Sequence, residues 1–336
     1  MTTTAVSVDV LPRSIYIEPT SRCNEFCQQC PRTLLSREDD RDLSFDNFRY
    51  IVDQFPVLER VVLHGLGEPL LNKELPRMVR YLKERGTYVL FNSNGIALTA
   101  KKGQELIEAG LDEYRLSMDG ATREMYAHVR GVDAFDKIWR NIGAFVARQK
   151  EQNASKPAVS LWFTAMKENL HELPGLIDLA YEHGIREVHL QRLVYFEQGL
   201  ALSKQALFRR STHEELELVE RCAQICRERG ISFTAAGSAT PLESLVRDFG
   251  ERPWSGCRRP YSLTYITSSG NVLSCCFAPF GHRSAREYQE ERVIGNVFKE
   301  PIEAIWHGER YEAFRRAFES DHPARHCSQC GLNWSY

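Results

Sequence analysis

The chain lacks several things that would have classified it at once. No run of about 18 apolar residues occurs, so no membrane-spanning helix is expected. The opening segment, Met1–Val10, has no basic region ahead of an apolar one. No secretory leader is read there, and a cytoplasmic location is expected. Neither sign of charge prevails: 43 basic against 45 acidic side chains leave a net charge of −2, which argues against a nucleic-acid binder. Internal repeats and low-complexity tracts are missing too. A hydrophobic share of 43% with 26% charged residues excludes wholesale disorder.

What the chain has in excess is cysteine. There are 10 in 336 residues, and a chain this long needs no covalent staples to hold a core. Without a secretion signal, clustered cysteines point to metal or catalytic sites before disulfides. Cys23, Cys27 and Cys30 form one group, and Cys257, Cys275, Cys276, Cys327 and Cys330 a second. Cys222 and Cys226, at i and i+4 on a helix with Leu218 and Ile225, read as core.

Strand-like and helix-like segments alternate through the first 190 or so residues. Strands are predicted at Ser14–Glu18, Arg60–His64, Tyr88–Asn92, Tyr114–Met118, Ala158–Met166 and Glu187–Leu193, each closed by Gly or polar turn residues. Helices are predicted between them, among them Leu75–Arg85, Ala100–Ala109, Phe135–Gln149 and Leu173–His183. This order implies an α/β fold with a parallel sheet, either a partial barrel or an open doubly wound sheet, with the chemistry at the strand C-termini. From Gly199–Thr212 onward the pattern changes to a long helix (Thr212–Arg229), a strand (Ile231–Ala235), a cysteine-bearing loop region with a hairpin turning at Ser269–Gly270, and a helix near Pro301–Phe318. Residues 11–205 and 206–336 are the expected domains.

Cys23, Cys27 and Cys30 have C-x3-C-x2-C spacing directly after the first strand. Three thiolates on one short loop can hold three corners of a cubane iron–sulfur cluster and leave one iron open; a zinc loop is the other reading. The next strands end in His64-Gly65-Leu66-Gly67-Glu68-Pro69, Asn92-Ser93-Asn94-Gly95 and Ser117-Met118-Asp119-Gly120. Glycines there expose backbone to a ligand, and Ser or Asp can hold a ribose or an amine. In the second group, four thiolates would complete a cluster or a zinc site.

With these segments in their order, the sequence resembles the radical S-adenosylmethionine superfamily. Over roughly Ile15–Leu193 the resemblance implies a partial (β/α)6 barrel. Its cysteine loop would bind a 4Fe–4S cluster that chelates S-adenosylmethionine. Gly65, Gly67 and Glu68 fall on its GGE motif, Asn94, Ser117 and Asp119 on further cofactor contacts, and Thr164 and Asn169 on the segment that lines the adenine. Gln29 stands where the family usually carries an aromatic residue. The C-terminal segments are similar to an auxiliary iron–sulfur domain of the SPASM/twitch kind. That implies a second 4Fe–4S cluster on Cys257, Cys275, Cys327 and Cys330, with Cys276 left over. Both halves are similar to the twitch aminocyclitol dehydrogenase type of antibiotic biosynthesis.

The resemblance implies a 5′-deoxyadenosyl radical that abstracts hydrogen from a carbinol C–H of a sugar, aminocyclitol or nucleoside sugar, with the auxiliary cluster assisting oxidation. Decarboxylation of a sugar acid such as a nucleoside glucuronate, epimerisation through Cys276, and peptide modification are the alternatives. For the last, Met1–Leu11 is expected to be too short to supply a peptide-binding domain. A cluster- or zinc-bearing binding protein is the non-enzyme alternative. The expected partners are a small polar substrate, with Arg192, Arg258 and His189 as contacts, and an electron donor such as flavodoxin or ferredoxin. His64 reads equally as a turn residue or a substrate contact, and Glu38–Asp42 as a solvated loop.

Overall fold

The computed structural model describes residues 10–35, 39–235, 240–247, 250–280, 288–328 and 330. The leader reading on Met1–Asp9 and Glu38 of the acidic loop lie outside them. Strand alternation sets the layers. In β1 (Ser14–Ile17), Ile15 and Ile17 are fully buried against helices, while Ser14 and Tyr16 take the opposite face. β2 (Arg60–Val62), β3 (Tyr88–Ser93), β4 (Glu113–Ser117), β5 (Ala158–Ala165) and β6 (Glu187–Arg192) follow, each parallel to the one before. The crossover helices carry matching apolar stripes. In Leu75–Glu84 the buried residues are Leu75, Met78, Val79 and Leu82, and the chain then turns at Gly86 with φ 75°. The core lies between these helices and the outward strand residues, with Val61, Phe91, Tyr114, Leu161 and Leu190 among them. Each such side chain contributes about 1.5–3 kcal/mol. Cys222 and Cys226 sit in this core.

The six β–α units form a partial barrel, and the later chain prolongs the same sheet. β7 (Ser232–Ala235) joins β6 in parallel. β8 (Leu263–Ile266) pairs in parallel with the other edge of β1 and turns through Gly270 (φ 83°) into the antiparallel β9 (Asn271–Leu273). β9 in turn carries β10 (Gly295–Asn296). Among the described residues the order is β10-β9-β8-β1-β2-β3-β4-β5-β6-β7. A buried carboxylate fastens this seam. Glu18, just past β1, accepts from the Leu66 amide (2.8 Å), the Ser268 amide and hydroxyl (3.1 and 3.0 Å) and the Tyr265 hydroxyl (3.1 Å).

The long helix His213–Arg229 starts on a capping box of Thr212 with Glu215 and stops at Gly230. The single helix expected near Pro301–Phe318 is two helices, Ile302–Trp306 and Glu309–Glu319. Between them Gly308 is extended, so close to the first helix that a Cβ would sit 2.7 Å from the Ala304 carbonyl oxygen. The acidic loop is more than solvated surface: Asp42 accepts from the Thr20 hydroxyl (2.6 Å) and pairs with Arg22 (2.7 Å), and Asp40 pairs with Arg32 (2.9 Å).

Candidate active site

Cys23, Cys27 and Cys30 stand on the loop after β1, at the C-terminal edge of the sheet. A helix end shapes this loop. The last carbonyls of Arg123–Arg130 lack intrahelical donors and accept from the loop: Val129 from the Gln28 amide (2.9 Å), Arg130 from the Phe26 amide (3.1 Å). The helix ends at Gly131 (φ 69°), where a Cβ would lie 2.5 Å from the Phe26 carbonyl oxygen. Arg130 then reaches into the loop. It lies 3.9 Å from the Cys27 sulfur, and 3.2 Å and 2.8 Å from the buried carboxylates of Glu25 and Asp119. Burial, with Glu68 next, pushes the Cys23 thiol up to about 12, and burial pushes Cys27 upward as well. Such thiols become thiolates on a metal, which suits a cluster loop.

The residues expected around S-adenosylmethionine divide into contacts and supports. Gly65, Gly67, Glu68, Asn94, Ser117, Asp119 and Thr164 all line one cavity with the three cysteines. Gly67 has no room for a side chain: a Cβ would meet the Thr20 carbonyl oxygen at 2.1 Å. The Glu68 carboxylate accepts from the Leu70 amide (3.0 Å), the Ser93 hydroxyl (2.8 Å) and the Asn94 amide (2.8 Å), so it holds β2 to β3; burial raises it to about 7. Asp119 is fully buried and takes the Thr164 amide at 2.8 Å and the Gln29 side-chain amide at 2.7 Å. Asn169 corrects the expectation. It is fully buried, its carbonyl taken by the Met166 amide and its NH2 by the Asp119 and Thr164 carbonyls, so it braces the wall without lining the cavity.

The cavity has a volume of about 700 Å3 and reaches the inward faces of β1 to β8. His189 lines it, stacked on Trp162 at 3.9 Å and bonded through Nδ1 to the Thr234 hydroxyl at 2.8 Å. Arg115 lies over the other part of the stack, 4.4 Å from the Trp162 ring. Burial first and then Arg115 push His189 down to about 3 and His64 to about 4, so both imidazoles are neutral near pH 7. Arg192 reaches the cavity edge, donates to the Ser244 carbonyl (3.1 Å) and stacks on Phe208. Arg258 does not line the cavity: it is exposed, and its neighbour Arg259 lines it instead, because a short helix begins between them.

The second cysteine group splits. Cys327 is buried, and Cys275, Cys330 and Cys257 are near enough to raise its pKa, after burial. Cys276 leaves this set for the cavity, where Arg259 donates to its sulfur at 3.7 Å and the Tyr16 hydroxyl bonds to it. The cysteine left over from the second group is therefore a cavity-facing thiol. Sequence reasoning missed Tyr16, Glu25, Arg60, Arg115, Arg130 and Trp162; for Tyr16, Arg60, Arg115 and Trp162 the signal was a side chain with a polar group at an inward strand position, where a packed barrel carries branched apolar ones.

Residues 17–180 match the family model of the Radical SAM superfamily, and residues 257–331 match SPASM, an iron–sulfur cluster-binding domain. The chain belongs to the radical S-adenosylmethionine superfamily. It is an enzyme of that class, and its cofactors are S-adenosylmethionine and 4Fe–4S clusters in both modules. It is 25% identical over 309 residues to the Fe-coproporphyrin III synthase of Methanosarcina barkeri, covering 85% of this chain and 71% of the other. It is 26% identical over 332 residues to the tungsten-containing aldehyde ferredoxin oxidoreductase cofactor-modifying protein of Pyrococcus furiosus, covering 95% and 87%. The solved structure of Streptococcus suis SuiB bound to precursor peptide SuiA matches with a TM-score of 0.70 at 17% identity, covering 98% of this chain and 72% of SuiB. Among the described residues, no helix of this radical S-adenosylmethionine protein is long and apolar enough to cross a membrane.

Proposed function

We propose that the enzyme abstracts hydrogen from a carbinol C–H of a small polar substrate of the sugar, aminocyclitol or nucleoside-sugar class and oxidises it to a ketone. The observation that carries this is the cavity. At about 700 Å3 it is in the range of small-molecule sites, and beyond the cysteine loop a largely apolar wall carries a few polar side chains that could orient a substrate: His64, Asn92, Arg115, His189 and Gln191. When bound, S-adenosylmethionine and the two clusters supply a hydrogen-abstracting radical and an acceptor for the second electron. Cys23, Cys27 and Cys30 would hold the first cluster, and Cys257, Cys275, Cys327 and Cys330 the second. Gly65, Gly67 and Asn94 would present backbone and amide to the methionine end, with Ser117 and Thr164 beside the nucleoside. A flavodoxin or ferredoxin would supply the electron.

Mass analysis of the product formed under anaerobic reducing conditions tests the reading. A loss of two hydrogens is expected from the correct substrate. Loss of carbon dioxide would instead mean decarboxylation, with Arg192 or Arg259 holding the carboxylate. A second reading has its own observation: Cys276 in the cavity wall could return a hydrogen atom, and unchanged mass with solvent deuterium uptake would establish epimerisation. Peptide substrates are the alternative that SuiB, bound to its precursor peptide, and the PqqA peptide cyclases bring forward.

A further inference from the structure

The end of the cavity far from the cysteine loop carries a feature that oxidation of a neutral sugar does not use. Arg60 opens β2, at the end of that strand away from Gly65 and the cysteine loop. Arg60 lines the cavity, and its guanidinium makes no hydrogen bond or ion pair among the described residues. Arg115, also in the lining, is half-used. Glu113 takes its Nε at 2.8 Å and its Nη2 at 2.7 Å, Trp162 packs on its face, and Nη1 has no partner among the described residues. On the same face of the β2 segment, the His64 Nδ1 is buried and likewise unpartnered.

The carboxylates of the lining are committed elsewhere. Glu25 and Asp119 hold Arg130, and Glu68 takes three donors between β2 and β3. Beneath the floor, Glu113 is occupied by Arg115 and the Tyr88 hydroxyl (2.6 Å), and Glu187 by Thr234. The floor thus offers guanidinium N–H groups on Arg60 and Arg115 with no protein acceptor. A guanidinium fork fits the paired oxygens of an oxyanion better than it fits water or a sugar hydroxyl.

We propose that Arg60 and Arg115 form an anion subsite, so that the substrate is an acid whose carboxylate or phosphate rests on the cavity floor while its reacting C–H lies under the cysteine loop. This rests on reading the cavity as the substrate site, but binding of the anion can be measured without turnover, so the two can fail separately.

The test is equilibrium dialysis of the anaerobically reconstituted holoenzyme against labelled inorganic phosphate, with labelled malonate in a second arm to separate the two oxyanion classes. Saturable binding of one of them is expected, weakened at least tenfold in Arg60→Gln and partly restored in Arg60→Lys, which keeps the charge but not the fork. Absence of saturable binding in both arms, or equal binding by Arg60→Gln, overturns the proposal. A measurement on the unaltered protein guards against a misfolded variant. Peptide mapping after phenylglyoxal treatment should show Arg60 and Arg115 modified more slowly with the anion present, and no protection overturns the subsite.

Discussion

At the scale of single residues, Cys276, Gly67 and His189 carry most of what can be checked. The Cys276 sulfur lines the cavity beside Tyr16 and Arg259. An oxidation needs no hydrogen donor, so Cys276→Ala is expected to leave ketone formation per folded molecule within about twofold. If 5′-deoxyadenosine forms but no product appears, the thiol is the donor and the enzyme an epimerase. Gly67→Ala forces a Cβ against the Thr20 and Arg22 carbonyls, at 2.1 and 2.6 Å. Backbone must shift, costing about 2–3 kcal/mol, and iron analysis should show loss from the first site with the auxiliary iron retained. His189, pushed down to about 3 from its ordinary 6.5, titrates less readily folded than unfolded. Below pH 6.5 the unfolded chain binds the extra proton, so stability is complete above that pH and falls toward pH 4 by up to about 1.4 kcal/mol per pH unit. Urea titrations over pH 4–7 should show this slope, and His189→Gln should make it shallower, leaving the share of His64 and His326, which burial also pushes down.

At the scale of elements, the barrel strands were legible because each is short, apolar on the helix side and stopped by Gly or polar turn residues. Tyr88–Asn92 was expected and Tyr88–Ser93 is found. The helix beginning at Thr212 was legible from its own ends, since cap and stop are both encoded locally. Thr212→Ala removes an exposed cap and should lower stability by about 1 kcal/mol, read as a shifted denaturation midpoint. Three things were not legible. β8 is buried throughout, so nothing in its own residues says that its partner is β1. The helix Arg123–Arg130 is short, and its meaning lies in the carbonyls it gives to a loop a hundred residues earlier. Cys275 and Cys276 lie past the end of β9, in a bend and a turn, so strand alternation does not tell which of the two faces the cavity.

At the scale of the whole molecule, one sheet runs through both the barrel and the auxiliary region, and Glu18 ties them through Leu66, Tyr265 and Ser268. The two modules should therefore unfold together. Calorimetry of the wild type is expected to give one transition, and Glu18→Ala, which leaves buried donors unsatisfied, to lower it by several degrees. Two well-separated transitions in the wild type would show the modules to be independent.

That seam also sets a clock on the ribosome. The turn that Glu18 clamps is made 250 residues later, which at 5–20 residues per second is about 12–50 s of synthesis. Throughout that interval β1 has one bare edge, and the cysteine loop hangs from its end, beside an unpaired strand that invites a stranger's. The C-terminal module is thus the last piece to cover the edge beside the first cluster site. Shortening the protein from that end would expose the edge permanently, and the yield of soluble barrel would fall before any question of catalysis arose.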